Sequence, residues 1–423
     1  MLIRLIYRLI LIILSPIPLI MLYKMQLTNS TVGKRWKEYF GKIPKIESKQ
    51  KPIWLHAASV GEVIAAFPFI KALKESSPNE KILITTTTST GAEQVKNLGS
   101  LVEHRYMPID FKFAIKNFLQ AIKPKKMLIM ETELWPNTIH VVSEAGIPII
   151  IINARLSNRS MKRYKKFNIL CRFFLEKITA FLCQHKTDAE NFISLGILKS
   201  KIFVTGSIKF DLNIDKSILK KGKDLRKKLG KRRPIWVAVS THPGEEEEIL
   251  AIHHQLLDEL PNILLILAPR HPERFNAVAK LCKKKKLQYS RRSKNQKITQ
   301  HDSIYLADTM GEMLTIIGAA TICFMGGSLI QDKVGGHNVL EPAILKKPIL
   351  IGPNYFNFLD IILQLKKHQA IKIIHNPKEL ANALKMLFKS EKQVKKMGNN
   401  ALKVIKMNTG AVNKTINLIK SIK

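Results

Sequence analysis

Residues 53–75 read IWLHAASVGEVIAAFPFIKALKE. The opening IWLH is apolar enough for a buried strand, and from Val63 onward apolar residues recur at helical spacing. Between them lies a short polar turn. A strand that passes through such a turn straight into a helix begins a βαβ unit, the module of parallel α/β sheets. Glu62 sits in that turn, beside Gly61 and near the helix start. Two readings of it stand. Ser59-x-x-Glu62 has the spacing of a capping box, in which the two residues satisfy the first turn of the helix. Alternatively the carboxylate takes a proton from a bound molecule. Gly61 leaves the backbone open to close approach, and the helix N-terminus keeps the group ionised, as a base must be.

The same alternation continues outward. IWLHAA, KILITTTT, KMLIMETE, IPIIIINA, ITAFLCQH and KIFVTGSI form one series of strand-length apolar runs; PIWVAVST, NILLILAP, SIYLAD, TICFMGGS, PILIGP and AIKIIH form a second. Each run is separated from the next by a helical pattern, so two doubly wound parallel sheets are expected. The length of 423 residues agrees with roughly two domains. Between the series, Asp211 to Pro234 is polar and basic and ends on a proline, as suits a linker with a surface helix. The expected organisation is an N-terminal segment over 1–24, a first domain over 25–212, a second over 213–400, and a C-terminal helix over 401–423 that packs back on the first domain.

Lys and Arg total 70 against 32 acids, a formal net charge of +38. Such an excess suits a polyanionic partner, whether nucleic acid, an anionic membrane or a phosphorylated substrate; lysines scattered over solvated faces are the plainer reading. Aromatic residues are not interleaved with the basic clusters, so no nucleic-acid partner is expected. The cysteines, Cys171, Cys183, Cys282 and Cys323, form no C-x-x-C pair and lie near no histidine at ligand spacing. Neither a metal nor a disulfide framework is expected. Leu2 to Tyr23 is apolar but for Arg4 and Arg8. It is long enough for roughly 30 Å of hydrocarbon, although Pro16 and Pro18 would kink it. No small-x-small cleavage site follows, which favours an uncleaved anchor over a secretory signal. A monotopic placement is the other reading, since Arg8 is costly at mid-membrane. The basic flank after this segment holds the body of the chain on the cytoplasmic side, against anionic lipid.

In open α/β sheets ligands bind beyond the carboxyl ends of strands, so the residues there are the candidates. In the first series they include Ser59, Gly61, Glu62, Ser89, Gly91, Glu131, Glu133, Asn153 and Lys209; in the second, His242, Arg270, His271, Asp308 to Glu312, Gly326, Gly327, Ser328 and Gly335 to Glu341. Thr309-x-x-Glu312 repeats the capping-box spacing. Gly326–Ser328 is read either as a backbone cradle for phosphate or as a tight turn. Arg270 suits a phosphate or a surface ion pair. His242 and His271 are read as turn caps. Glu341 would repel a phosphate but suits ribose hydroxyls. The run Glu245–Glu248 reads as a solvated acidic helix start.

Taken together and in order, HAASVGE, TTTTSTG, METELWPN, NARLS, TGSIKFD, STHPGEE, PRHPERF, DTMGE, MGGSL, GGHNVLEP and GPNYFNF resemble the 3-deoxy-D-manno-octulosonic acid (Kdo) transferases of lipopolysaccharide assembly. The resemblance spans His56 to Phe358, and one departure is the IQDKV loop, which looks slightly longer than is usual in the family. It implies a metal-independent, inverting GT-B glycosyltransferase of two Rossmann-like lobes, anchored at the cytoplasmic face of a bacterial inner membrane. No cofactor is implied: the donor is CMP-Kdo and the acceptor a lipid A precursor. Carried onto this chain, Glu62 is the general base, and Glu131 and Lys209 belong to the active site. Arg270, His271, Met310, Gly311, Glu312, Gly326, Gly327, Ser328, Asn338 and Glu341 serve the donor's CMP. Ser59, Gly61, Ser89 and Gly91 line the acceptor side. A UDP-sugar transferase or a sugar-nucleotide 2-epimerase of the same fold is the enzymatic rival; a membrane-tethered nucleic-acid-binding protein is the non-enzymatic one.

Overall fold

The structure, a computed structural model, describes residue 11 and residues 33–45, 50–166, 168–212, 214–296, 298–330 and 334–422. The anchor expected over 1–24 lies outside the described residues apart from residue 11, and so do residues 331–333 of the IQDKV loop. Among the described residues no helix is long and apolar enough to cross a membrane.

The chain divides into two compact units. Unit 1 takes in the chain up to Asp211 and again from Asn408; unit 2 runs from Leu212 to Met407. Each holds one seven-stranded sheet. In unit 1 the strands are β1 (Ile53–His56), β2 (Ile82–Thr86), β3 (Glu103–Tyr106), β4 (Lys126–Met130), β5 (Ile149–Ala154), β6 (Ala180–Cys183) and β7 (Ile202–Val204), in the order β3-β2-β1-β4-β5-β6-β7. In unit 2 they are β8 (Ile235–Thr241), β9 (Leu264–Pro269), β10 (Tyr289–Arg291), β11 (Ile304–Leu306), β12 (Ile322–Met325), β13 (Ile349–Ile351) and β14 (Ile371–Ile373), in the order β10-β11-β9-β8-β12-β13-β14. The pairings are parallel throughout. Two doubly wound α/β units are therefore present, as the alternation of runs required.

The apolar runs explain the layering. Side chains alternate across a strand. Trp54 packs with Ile115 and Phe118 on one face of the unit 1 sheet, while its neighbour Leu55 packs with Val63, Phe69 and Ile70 on the other. Burying a side chain of this size is worth about 1.5–3 kcal/mol, and the spacing of Val63, Ala66, Phe69, Ile70 and Leu73 turns one face of helix Val60–Ser76 onto the sheet. The apolar reading missed β3 (EHRY) and β10 (YSR). Both are outermost strands, paired on one side and partly solvated, so neither needs an apolar run.

The chain returns to unit 1 at Asn408 rather than at 401. Helix Glu391–Asn408 lies against unit 2, where Gly398 permits close approach to the Lys346 carbonyl. Helix Ala411–Ser421 then buries Ala411, Val412, Ile416 and Ile419 in the core that holds Leu55. Its first turn is capped from the other crossing of the chain. The Asp211 carboxylate accepts from Gly410 N at 2.6 Å and from Val412 N at 2.5 Å. Asp211→Ala should leave both donors without this acceptor and cost about 1–2 kcal/mol. Urea unfolding of the full chain measures it; an unchanged midpoint would show that the cap contributes nothing.

Candidate active site

Strand order reverses between β1 and β4 in unit 1, and between β8 and β12 in unit 2. The crevices of doubly wound sheets open at such points, and each unit is described in turn.

In unit 1, β1 ends at His56 and helix Val60–Ser76 starts at once, with Ser59 as its N-cap. Ser59 Oγ accepts from Glu62 N at 3.3 Å and donates to Glu62 Oε1 at 3.0 Å; Ala58 N donates to Glu62 Oε2 at 2.8 Å. The capping-box reading of Glu62 thus holds for its Ser59 half, while the Glu62 carboxylate reaches back to Ala58 N, one residue before the N-cap, instead of Ser59 N. It does not exhaust the residue. Burial pushes the carboxyl up from 4.5 to about 7, against the two hydrogen bonds from Ala58 and Ser59, and the charges of Glu131 and Glu133 push the same way as burial. Both readings of Glu62 are compatible: a capped side chain in a fixed position that still exchanges its proton near neutrality.

β4 delivers the next two acids. Glu131 follows Met130 in a left-handed conformation, φ 56°, which costs a non-glycine residue about 1–3 kcal/mol. Its Oε1 accepts from Lys209 Nζ at 2.8 Å. Glu133 is raised by burial and then by Glu131. Lys209 is positioned by a neighbour that the sequence reading placed at a strand end but gave no role. Asn153, at φ 53° in β5, accepts Ile208 N on its Oδ1 at 3.2 Å, while Gln184 Nε2 donates to its carbonyl at 2.9 Å. Glu62, Glu131 and Glu133 therefore form one electrostatic group, in which the Lys209 ammonium pairs with Glu131.

The acceptor-side candidates divide. Ser59 joins the Glu62 group directly. Gly61 lies in the first helical turn with open space beside it. Thr87 ties the TTTT stretch to the same turn, its Oγ1 donating to the Ala58 carbonyl at 2.8 Å. Gly91 is buried and serves packing, since a Cβ there would lie 3.1 Å from Thr88 Oγ1 and 3.3 Å from Thr86 Cβ. Ser89 is exposed and lines a cavity of about 270 Å³ with Arg35, Glu93, Lys96, His104 and Tyr106, away from the Glu62 contacts.

In unit 2 the structure overturns one expectation and decides between two readings. Glu245 and Glu246 are not solvated but 1% and 0% exposed. Gly326–Ser328 takes the tight-turn reading rather than that of an open cradle, because the Gly326 amide donates to the Val239 carbonyl at 2.8 Å and the amides after it already hold a carboxyl group. Glu245 Oε2 accepts from Gly327 N at 2.8 Å, and Oε1 accepts from Ser328 N at 3.2 Å and Leu329 N at 3.1 Å. A glycine turn gives its N–H groups to the nearest buried carboxylate, and helix Glu245–Glu259 begins directly beneath it. Glu246 pairs with Arg274 at 2.7 Å.

Above this turn lies a cluster from three strand ends. His242 Nε2 and His337 Nε2 stand 2.8 Å apart with their rings nearly parallel, 5.1 Å between centroids; His271 meets His242 edge-on at 5.4 Å. The turn-cap readings hold, since His271 is the N-cap of the turn Pro272–Arg274 and the His242 carbonyl accepts from Glu245 N at 3.1 Å, and the ring contacts add to them. Burial holds His337 down at about 4, helped by His242, Arg270 and His271; His242 is lowered by burial too. Glu341 accepts from Asn338 Nδ2 at 3.4 Å. Burial raises it to about 7, against Asn338 and the charge of Arg270. Arg270 is exposed at the end of β9. Five residues of the donor set, Arg270, His271, Asn338, Glu341 and the glycine turn's Gly327, thus gather with His242 and His337. His337 falls within the Gly335–Glu341 candidates but receives no role from the sequence, because one histidine in a glycine-rich loop signals nothing until its partner is in place.

Glu312 does otherwise. Arg292 holds it with two hydrogen bonds, Nε to Oε2 at 2.7 Å and Nη2 to Oε1 at 2.5 Å, and Thr309 Oγ1 donates to it as well. The guanidinium holds its carboxyl down at about 2. The capping box read into Thr309–Glu312 does not form, since Glu312 itself is the N-cap of helix Met313–Ala319. Met310 is 56% exposed, and Gly311 takes φ 78° with open space around it. Among the described residues no group of three or more His, Cys, Asp or Glu is placed to hold a metal ion.

The chain is also similar to known proteins over most of its length. Residues 34–212 match the family model for 3-deoxy-D-manno-octulosonic-acid transferase (kdotransferase). A 3-deoxy-D-manno-octulosonic acid transferase of Haemophilus influenzae is 42% identical over 370 residues, 87% of this chain and 86% of that one. Its counterpart in Rickettsia typhi is 34% identical over 88% of this chain and 79% of its own. Among solved structures, UDP-GlcNAc 2-epimerase of Neisseria meningitidis bound to UDP-GlcNAc is 14% identical, covering 88% of this chain and all (100%) of that one at a TM-score of 0.57. That is a likeness of fold, GT-B-like in kind.

The Glu62 shift carries a stability consequence. Its folded value lies above its ordinary one, so ionising it costs stability: the cost is absent below about pH 4.5 and complete above about pH 7. Glu62→Gln cannot ionise and should be more stable than wild type at pH 8 by roughly 1–3 kcal/mol, an advantage that disappears near pH 4. Urea unfolding at both pH values tests this; a difference independent of pH would rule out the raised titration.

Proposed function

We propose, on the premise that this chain belongs to the 3-deoxy-D-manno-octulosonic acid transferase family, a division of labour for its reaction and a specific acceptor. The enzyme is a glycosyltransferase of lipopolysaccharide synthesis and transfers Kdo from CMP-Kdo. Its acceptor is a lipid A precursor, and no metal takes part. The single observation that carries the reading is Glu62, a carboxylate fixed by Ser59 and Ala58 whose burial sets its titration near 7.

In this reading a sugar hydroxyl of the acceptor attacks the anomeric carbon of Kdo. The new C–O bond forms as the bond to the CMP phosphate breaks, with inversion, and the hydroxyl proton passes to Glu62. A base that titrates near the working pH combines a large ionised fraction with adequate proton affinity. Lys209, already paired with Glu131, keeps the neighbouring carboxylate from raising Glu62 further. Unit 2 takes the nucleotide. Arg270 faces the phosphodiester, and Glu341, its carboxyl raised to about 7 by burial, accepts from ribose hydroxyls while Asn338 orients it. Glu312, engaged by Arg292, acts through the turn it fixes, which presents Met310 and Gly311. The fold likeness to an epimerase does not compete with this reading, because the sequence identity is to the transferases.

The lipid acceptor accounts for the apolar segment Leu2 to Tyr23, read as an anchor at the cytoplasmic face of the inner membrane, and for the +38 charge, which favours an anionic lipid surface and a phosphorylated headgroup.

Glu62→Gln should lower transfer from CMP-Kdo to a lipid A precursor by roughly 10²–10⁴-fold while leaving CMP affinity nearly unchanged. In the wild type kcat/KM should rise with pH through about 7, because the ionised carboxylate is the active form. Near-normal transfer by the variant, followed by mass spectrometry of the product, would reduce Glu62 to a helix cap. Deleting residues 1–24 should move the protein from the membrane to the soluble fraction; retention on the membrane would remove the anchor.

A further inference from the structure

We propose that Glu245 is a positioning residue for donor binding: its carboxylate sets the glycine turn and, through it, the His242–His337 pair. The proposal rests on the reading of unit 2 as the donor-binding unit. Both oxygens of Glu245 are fully engaged. Besides Gly327, Ser328 and Leu329, Oε2 accepts from His242 N at 3.3 Å. Four N–H donors converge on one carboxylate, and they come from two strand ends, β8 through His242 and β12 through the glycine turn. A structural cap of helix Glu245–Glu259 needs none of this, because Glu247 already closes its N-terminus by accepting from Gly244 N at 3.0 Å.

The glycines fit this role. A Cβ on Gly326 would stand 2.8 Å from Glu245 Oε2, and one on Gly327 would stand 2.9 Å from the His337 ring. Gly327 also takes φ 67°, and its carbonyl accepts from Gly336 N at 2.9 Å, in the residue before His337. The contacts therefore close a ring: Glu245 to the Gly327 amide, Gly327 to His337, the His337 ring to the His242 ring, and the His242 amide back to Glu245. Moving the carboxylate moves both imidazoles. Arg270 and His271 stand beside the same pair, so the geometry of the whole cationic and imidazole wall depends on a residue that is itself buried.

Glu245→Gln keeps the shape but turns an NH₂ group toward two N–H donors. It should weaken CMP binding and raise the KM for CMP-Kdo roughly tenfold or more, with kcat and the acceptor KM changed far less. The control is Glu246→Gln on the same helix turn, equally buried but bonded to Arg274 and Thr241. It should lose stability without the donor-specific loss. Calorimetric titration with CMP and steady-state kinetics on the full chain read both. Equal donor effects in E245Q and E246Q, or wild-type CMP affinity in E245Q, overturn the proposal. Should E245Q not fold, Gly327→Ala leaves Glu245 in place and displaces His337; unchanged donor affinity there overturns it equally. Failure of the wild-type protein to bind CMP would instead overturn the reading of unit 2, and this proposal with it.

Discussion

A carboxylate shut away from water must find donors or keep its proton, and that constraint shapes the strand ends of both units. Glu245 meets it completely: four backbone amides surround it, and the glycines of the turn exist to let them approach. Glu62 meets it in part, with one amide and one hydroxyl, while Glu131 and Glu133 add negative charge nearby. The first carboxylate is therefore a fixed element of the fold, and the second a group that exchanges a proton. Burial raises both carboxyls, Glu245 against four backbone amides and Glu62 against one amide and one hydroxyl with two acidic neighbours; donor number and neighbouring charge are what differ between them.

Backbone strain marks the same places. Glu131, Asn153 and Ser240 each adopt a left-handed conformation at or beside a strand end without being glycine. The remaining non-glycine residues with positive φ include Lys123, which closes helix Lys112–Ile122, where such a conformation is routine. At the strand ends it has another use. It turns Glu131 toward Lys209, and it lets Asn153 hold the turn that carries that lysine. The energy comes from the sheets, whose buried Ile, Leu and Val runs leave enough surplus for strained residues at their edges.

The sequence alone determined the architecture, because a strand buried on both faces must be apolar along its length and a crossover helix must be apolar on one side. Twelve of the fourteen strands among the described residues announce themselves in this way; β3 and β10 do not, since these two outermost strands are polar and partly solvated. The positions of Glu62, Glu131, Lys209 and Arg270 after apolar runs were legible for the same reason. Only the tertiary structure decided what those residues touch. Glu245 and Gly327 are 82 positions apart and His242 and His337 are 95 apart, and a one-dimensional pattern holds no record of which donors reach which acceptor. For that reason a glycine stretch open to two readings, phosphate cradle or tight turn, proved to be a turn filled from within, and of an acidic run read as solvated, Glu247 and Glu248 are exposed while Glu245 fills that turn.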